Sequence, residues 1–124
     1  MKIIILVPVY NDWKSVSKLI EEINVKVPDL NCHISIIIIN DASTEQQSIY
    51  APNLENIQSI QIINMKENRG HARCIASGLK HIYDKEEFDY VIPMDGDGED
   101  RPEEIKNFVE YLSYDSDKPI VGER

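Results

Sequence analysis

Two short, almost unbroken apolar runs constrain this chain more than any other feature. Residues 3–7 read Ile-Ile-Ile-Leu-Val, and residues 36–39 read Ile-Ile-Ile-Ile. Neither run shows the alternation of a half-solvated strand, and neither is long enough to span a bilayer. Strand-length segments that are apolar at every position are those buried on both faces, as happens in a parallel sheet covered by helices.

The segments between the runs supply such helices. Asp12 is placed to cap a helix over 13–24, with Val16, Leu19, Ile20 and Ile23 on one stripe. Ser43-Thr44-Glu45-Gln46 has the form of a capping box opening a short helix that Pro52 ends. A further helix is expected over 71–83 with Ile75, Leu79 and Ile82 inward, and a last one after Asp100-Arg101-Pro102-Glu103, running to about Leu112. Strands are expected at Lys2–Val9, 33–39, 60–65 and 90–94, and a fifth begins at Pro119-Ile120-Val121. The order β-α-β-α-β-α-β-α-β implies one α/β domain over 1–124, a Rossmann-like, doubly wound, mostly parallel sheet.

In that architecture ligands bind beyond the carboxyl ends of the strands. Four polar clusters fall there: Tyr10-Asn11-Asp12, Asn40-Asp41-Ala42-Ser43, Glu67-Asn68-Arg69-Gly70 and residues 95–100. The last reads Asp95-Gly96-Asp97-Gly98-Glu99-Asp100 and follows directly from an apolar strand. Alternate carboxylates on one side of an extended segment suit a hard divalent cation, and Gly96 lets a ligand approach the backbone. A cation there would hold a diphosphate. An EF-hand loop is excluded, because its sixth and twelfth positions would be Asp100 and Lys106. A phosphatase with an aspartyl nucleophile would carry its Asp-x-Asp after the first strand, with a Thr nearby, and this chain does not.

Each remaining motif has a structural and a functional reading. Asp41 is either a turn residue or a carboxylate accepting from a nucleobase N–H. Pro8 and Tyr10 either pack in the core or wall a base pocket. At Asn68-Arg69-Gly70-His71, backbone N–H groups with Arg69 or Arg73 are placed to meet phosphate. His71 is either a helix-start residue or a ligand. The two cysteines, Cys32 and Cys74, lack metal-ligand spacing and read as reduced thiols. Net charge is −9, from 22 acids and 13 bases, which argues against nucleic acid or an anionic membrane as the main partner. The first apolar run leads into Tyr10-Asn11-Asp12 and not into a small-residue cleavage site, so it is a strand and not a signal peptide.

Together, Val7-Pro8-Val9-Tyr10-Asn11-Asp12, Ile39-Asn40-Asp41-Ala42-Ser43-Thr44, Asn68-Arg69-Gly70-His71 with Gly78-Leu79, and Met94-Asp95-Gly96-Asp97 resemble a family 2 glycosyltransferase of the GT-A fold. The Asn-x-Gly-His start, the acidic run ending in Pro102-Glu103 and the terminal Ile120-Val121-Gly122-Glu123-Arg124 are most similar to the branch acting on polyprenyl phosphates, such as the dolichyl-phosphate sugar transferases. The resemblance implies an inverting transferase that uses a UDP- or GDP-linked sugar and Mg²⁺ or Mn²⁺. Pro8, Tyr10, Asp12 and Asp41 would hold the nucleoside, with Asn11, Asn68, Gly70, Arg73 and Gly96 completing the donor site. Asp95 and Asp97 would be the catalytic Asp-x-Asp pair, and Glu99 a third metal ligand. The acceptor would be a polyprenyl phosphate or a glycan, and the protein would work in the cytoplasm or at the cytoplasmic membrane face.

Two departures accompany the resemblance. The family's usual Asp-Asp-Gly-Ser is Asn40-Asp41-Ala42-Ser43 here. Family members also continue into an acceptor-binding half, so the chain corresponds to the donor-binding part, truncated at its C-terminus. A non-catalytic nucleotide-binding module of the same fold is the alternative. A nucleotidyltransferase ranks below both, because Tyr10-Asn11-Asp12-Trp13 is not a Gly-rich, basic triphosphate loop.

Overall fold

A computed structural model describes residues 1–26, 32–47, 49, 54–95 and 107. Its elements run β1 (Lys2–Val9), α1 (Trp13–Lys26), β2 (His33–Asn40), β3 (Ser59–Asn64), α2 (His71–Lys85) and β4 (Tyr90–Pro93). The four strands form one sheet in the order β3-β2-β1-β4, and every pairing is parallel. The chain steps outward from β1 through β2 to β3. It then returns across the sheet through α2 and places β4 on the other side of β1.

The apolar runs are buried on both faces, as their lack of alternation requires. Ile3, Ile5 and Val7 of β1, with Ile34, Ile36 and Ile38 of β2, pack against Trp13, Val16, Leu19, Ile20 and Ile23 of α1. Their neighbours Ile4, Leu6, Ile37 and Ile39 face the other way, onto Cys74 and Ile82 of α2. The register pairs Ile3 with Ile34 and Leu6 with Ile37, so one pleat alternation serves both layers. Fully burying each such side chain is worth about 1.5–3 kcal/mol, which makes these two strands the energetic centre of the fold.

The inner face of α2 differs from the expected one. Ile82 is buried and Ile75 partly so, but Leu79 is 37% exposed and Gly78 faces the sheet in its place. A Cβ on Gly78 would lie 2.6 Å from Leu6 Cδ1 and 3.1 Å from Ile39 Cγ1. A side chain there would have to displace Leu6, so the buried stripe is Cys74-Gly78-Ile82, with Leu79 rotated outward.

The helix expected from the capping box at Ser43 is not formed over 43–47. The Thr44 and Glu45 N–H groups donate to Asn11 Oδ1 at 2.8 and 2.9 Å, and Ser43 Oγ accepts from the Asn11 N–H at 2.9 Å. A tertiary partner has taken the groups a local cap would use. Of the helix expected to Leu112, only Asn107 is described, and it is helical. The fifth strand expected at Pro119-Ile120-Val121 lies outside the described residues.

Candidate functional site

The strand order places a topological switch between β1 and β4, and the site is built at their carboxyl ends. Val9 ends β1 and leads into Tyr10, Asn11 and Asp12, while Met94 and Asp95 follow β4. Pro8, Val9, Tyr10, Asp12, Val16, His71 and Asp95 line a cleft of about 440 Å³. Four residues singled out from the sequence, Pro8, Tyr10, Asp12 and Asp95, therefore share one cavity. Tyr10 is 48% exposed, so its ring forms a wall and not core. Pro8 is buried as part of β1. Asp12 stands at the start of α1, where its Oδ1 accepts the Ser15 N–H at 3.3 Å.

Asn11 turns away from this cleft. Its φ is +63°, a conformation asparagine tolerates better than most residues. Besides the bonds to 43–45 already described, its Nδ2 donates to Thr44 Oγ1 at 3.0 Å. Asn11 thus ties the loop after β1 to the loop after β2. Asn40 tightens the second loop: its Oδ1 accepts the Ser43 N–H at 3.0 Å, and its Nδ2 donates to Asn64 Oδ1 at 2.9 Å. Asn40 thus bridges Ser43 and Asn64 at the position where the family's usual motif has aspartate.

Asp41 is 4% exposed and is the centre of a second cluster. Its Oδ1 accepts the Arg69 N–H at 2.7 Å and its Oδ2 the Gly70 N–H at 2.9 Å. The Cys74 thiol donates to the same carboxylate. Burial pushes the Asp41 carboxyl upward, but the three hydrogen bonds outweigh it and hold the group below its ordinary value. The Cys74 thiol is pushed up to about 12, first by burial and then by its bond to, and the charge of, Asp41. Two backbone N–H groups that the sequence offered to a phosphate, those of Arg69 and Gly70, are therefore bonded to a carboxylate. Asn68 joins this cluster through a long Nδ2 contact to the Asp41 carbonyl, 3.4 Å. The Arg69 guanidinium pairs with Glu67 at 2.5 Å. Arg73 is exposed on the first turn of α2 and does not line the cleft.

His71 carries more of the site than its sequence position suggested. As the first residue of α2, it places Nε2 in hydrogen-bonding contact with Asp95 Oδ1, and both residues line the cleft. The available signal was its place at a helix start on the strand-end edge that also holds Asp95. Gly96, Asp97 and Glu99 lie outside the described residues. Among the described residues no group of three or more His, Cys, Asp or Glu could hold a metal ion.

Comparison with known proteins agrees with this fold. The family model described as "Glycosyl transferase family 2" matches residues 4–124. Among solved structures, S. aureus TarS 1-349 superimposes with a TM-score of 0.67 at 19% identity, over 92% of this chain and 33% of that one. The same protein in complex with UDP-GlcNAc gives 0.68 at 19% identity, over 92% and 32%. Its complex with UDP gives 0.67 at 20% identity, with the same coverage. The likeness establishes the fold, and the chain spans about a third of the length of these structures.

Proposed function

The chain belongs to glycosyl transferase family 2, and from that premise we propose that it is the donor-binding part of an inverting glycosyltransferase acting with a divalent cation on a nucleotide-diphosphate sugar. The observation that carries this reading is the convergence of Tyr10 and Asp12 from β1 with Asp95 from β4 on one cleft at the switch between those strands. In this reading Tyr10 stacks against the base, and Asp12 accepts from the nucleoside. Asp41 is buried and bonded to the Arg69 and Gly70 N–H groups, so in this reading it fixes the loop at the start of α2 and does not meet the base itself.

The first carboxylate of the acidic run suits a hard cation. Asp95 is a partly exposed carboxylate at a strand end, facing the cleft, and Asp97 and Glu99 follow it in sequence. Together they would hold Mg²⁺ or Mn²⁺, which supplies charge stabilisation for the departing nucleoside diphosphate. The chain's own contribution is to orient the diphosphate between the β1 and β4 loops. The fold likeness to TarS bound to UDP-GlcNAc and UDP makes a UDP-sugar the first donor to test.

The polyprenyl-phosphate branch remains the preferred acceptor class, on the sequence motifs at Asn68-Arg69-Gly70-His71 and 95–103. A phosphate acceptor is already ionised and attacks without a general base, whereas a glycan hydroxyl would need one. No helix among the described residues is long and apolar enough to cross a membrane. An acceptor of this kind would be met at the cytoplasmic membrane face.

Calorimetry tests the reading directly. UDP- and GDP-sugars are titrated into the protein with and without Mn²⁺, alongside Asp95→Ala and Asp97→Ala. Cation-dependent binding of one nucleotide class, lost in both variants, is expected. Absence of binding to every nucleotide sugar would overturn the proposal.

A further inference from the structure

The Tyr10 ring has little packing of its own. It is 48% exposed and belongs to neither core cluster, yet it lines the cleft with Asp12 and Asp95. Its direction therefore depends on the backbone that carries it. On one side that backbone is fixed by the sheet: Val9 pairs with Asn40, and the Val9 carbonyl accepts the Asp41 N–H at 2.9 Å. On the other side it is fixed by a side chain. Asn11 Oδ1 accepts the N–H groups of Thr44 and Glu45 at 2.8 and 2.9 Å, and Nδ2 donates to Thr44 Oγ1 at 3.0 Å. The Asn11 N–H donates to Ser43 Oγ at 2.9 Å. These bonds span 32 to 34 residues of sequence and all meet on Asn11.

We propose that Asn11 is a positioning residue of the donor cleft: it clamps the loop after β1 onto the loop after β2 and so holds the Tyr10 ring ready for a nucleobase. This rests on the reading of the cleft as a nucleotide-sugar site. Asparagine suits the position on two counts. It tolerates a φ of +63° better than most residues, and that turn takes Asn11 out of the cleft that its neighbours Tyr10 and Asp12 line. Its planar amide also combines an acceptor with two lone pairs and a donor, which matches two backbone N–H groups and a hydroxyl. Residues 43–45 form no helix, so without Asn11 those N–H groups turn to water and the two loops lose their tie. Tyr10 then samples several directions, and a base must order it on binding, which lowers affinity.

Fluorine NMR of the free protein reads Tyr10 without any ligand. The full chain is prepared with 3-fluorotyrosine, and the Tyr10 resonance is identified by its loss in Tyr10→Phe. That resonance should shift and broaden in Asn11→Ala. Asn11→Gly should behave alike, because it relieves the left-handed backbone but lacks the clamp. Asn11→Asp keeps an acceptor for both N–H groups and should resemble wild type. Calorimetry with UDP, and in a second series with GDP, both with Mn²⁺, reads the consequence. Affinity should fall about tenfold in Asn11→Ala and Asn11→Gly, and stay within about threefold of wild type in Asn11→Asp. Asn24→Ala is the control. Asn24 is tied to Asn56 by bonds of the same kind, at 2.9 and 2.8 Å, and does not line the cleft, so its loss should leave affinity unchanged. A Tyr10 resonance unchanged in Asn11→Ala, or affinity lost equally in Asn24→Ala, would overturn the assignment and leave the functional reading intact. If wild type binds neither nucleotide, the functional reading falls, and the donor role of Asn11 falls with it.

Discussion

The carboxylate of Asp41, at the end of β2, accepts the backbone N–H of Gly70 at 2.9 Å, and Gly70 is the residue at which α2 begins. With the Arg69 N–H at 2.7 Å on its other oxygen, one side chain fixes where the crossover helix starts. A negative charge there also interacts favourably with the positive end of the α2 dipole. Because α2 carries His71, the position of Asp41 bears on the cleft without lining it.

Asp41→Ala should therefore destabilise the fold by about 2 kcal/mol, since two part-buried N–H groups lose a charged acceptor, and Asp41→Asn by about half as much. The folded Asp41 carboxyl is held below its ordinary value of 3.8. Its stabilisation is complete above that value and is lost as pH falls through the depressed one. Urea unfolding of wild type and Asp41→Asn should show a gap at neutral pH that narrows in acid. A constant gap would remove the charge from the explanation.

Ala42 has φ +57°, at the position where the family's usual motif carries glycine. Left-handed backbone costs an alanine about 1–2 kcal/mol, while glycine's extra freedom in the unfolded chain costs about 0.4–1 kcal/mol. Ala42→Gly is expected to raise stability by about 0.5–1 kcal/mol, measured as a higher urea midpoint at unchanged slope.

Gly78→Ala sets two effects against each other. Alanine gains about 1 kcal/mol of helix propensity, but a methyl 2.6 Å from Leu6 Cδ1 must displace a side chain fully buried between layers. Overpacking of this kind costs about 1–3 kcal/mol, so a net loss of about 1 kcal/mol is expected. A stabilised variant would show that Leu6 has room to move.

The Cys74 thiol, pushed up to about 12, should resist alkylation in the folded protein at mildly alkaline pH. Cys32 is partly exposed, and burial raises its thiol more than the nearby N-terminal charge lowers it. Mass spectrometry after timed iodoacetamide treatment should show Cys32 modified first. Cys74 should follow only on unfolding. The raised Cys74 value also predicts stability that is complete below pH 9.0 and declines as pH rises toward 12.

The strands and helices were legible because their signals are local. Continuous isoleucine marks burial on both faces, and the 16-19-20-23 stripe marks the inner side of α1. The helix expected at Ser43 failed because a capping box competes with any better partner, and Asn11, 32 residues away, is one. Leu79 was misplaced because periodicity alone cannot register that a helix lies against a sheet at glycine distance.

The same division holds at the site. Residue types and their position after strands mark Tyr10, Asp12, Asp41 and Asp95 as belonging to one edge, because strand length and direction are set by local pattern. Which of them meet was decided by strand order. β4 lies beside β1, not beside β3, and α2 must cross the sheet to reach it. That crossing brings Gly70 to Asp41 and His71 to Asp95, over separations of 29 and 24 residues. Sequence pattern encodes period and burial, while contact between distant side chains depends on how whole layers pack. The carboxylates of this chain could be read from its sequence, and the imidazole beside one of them came only from the fold.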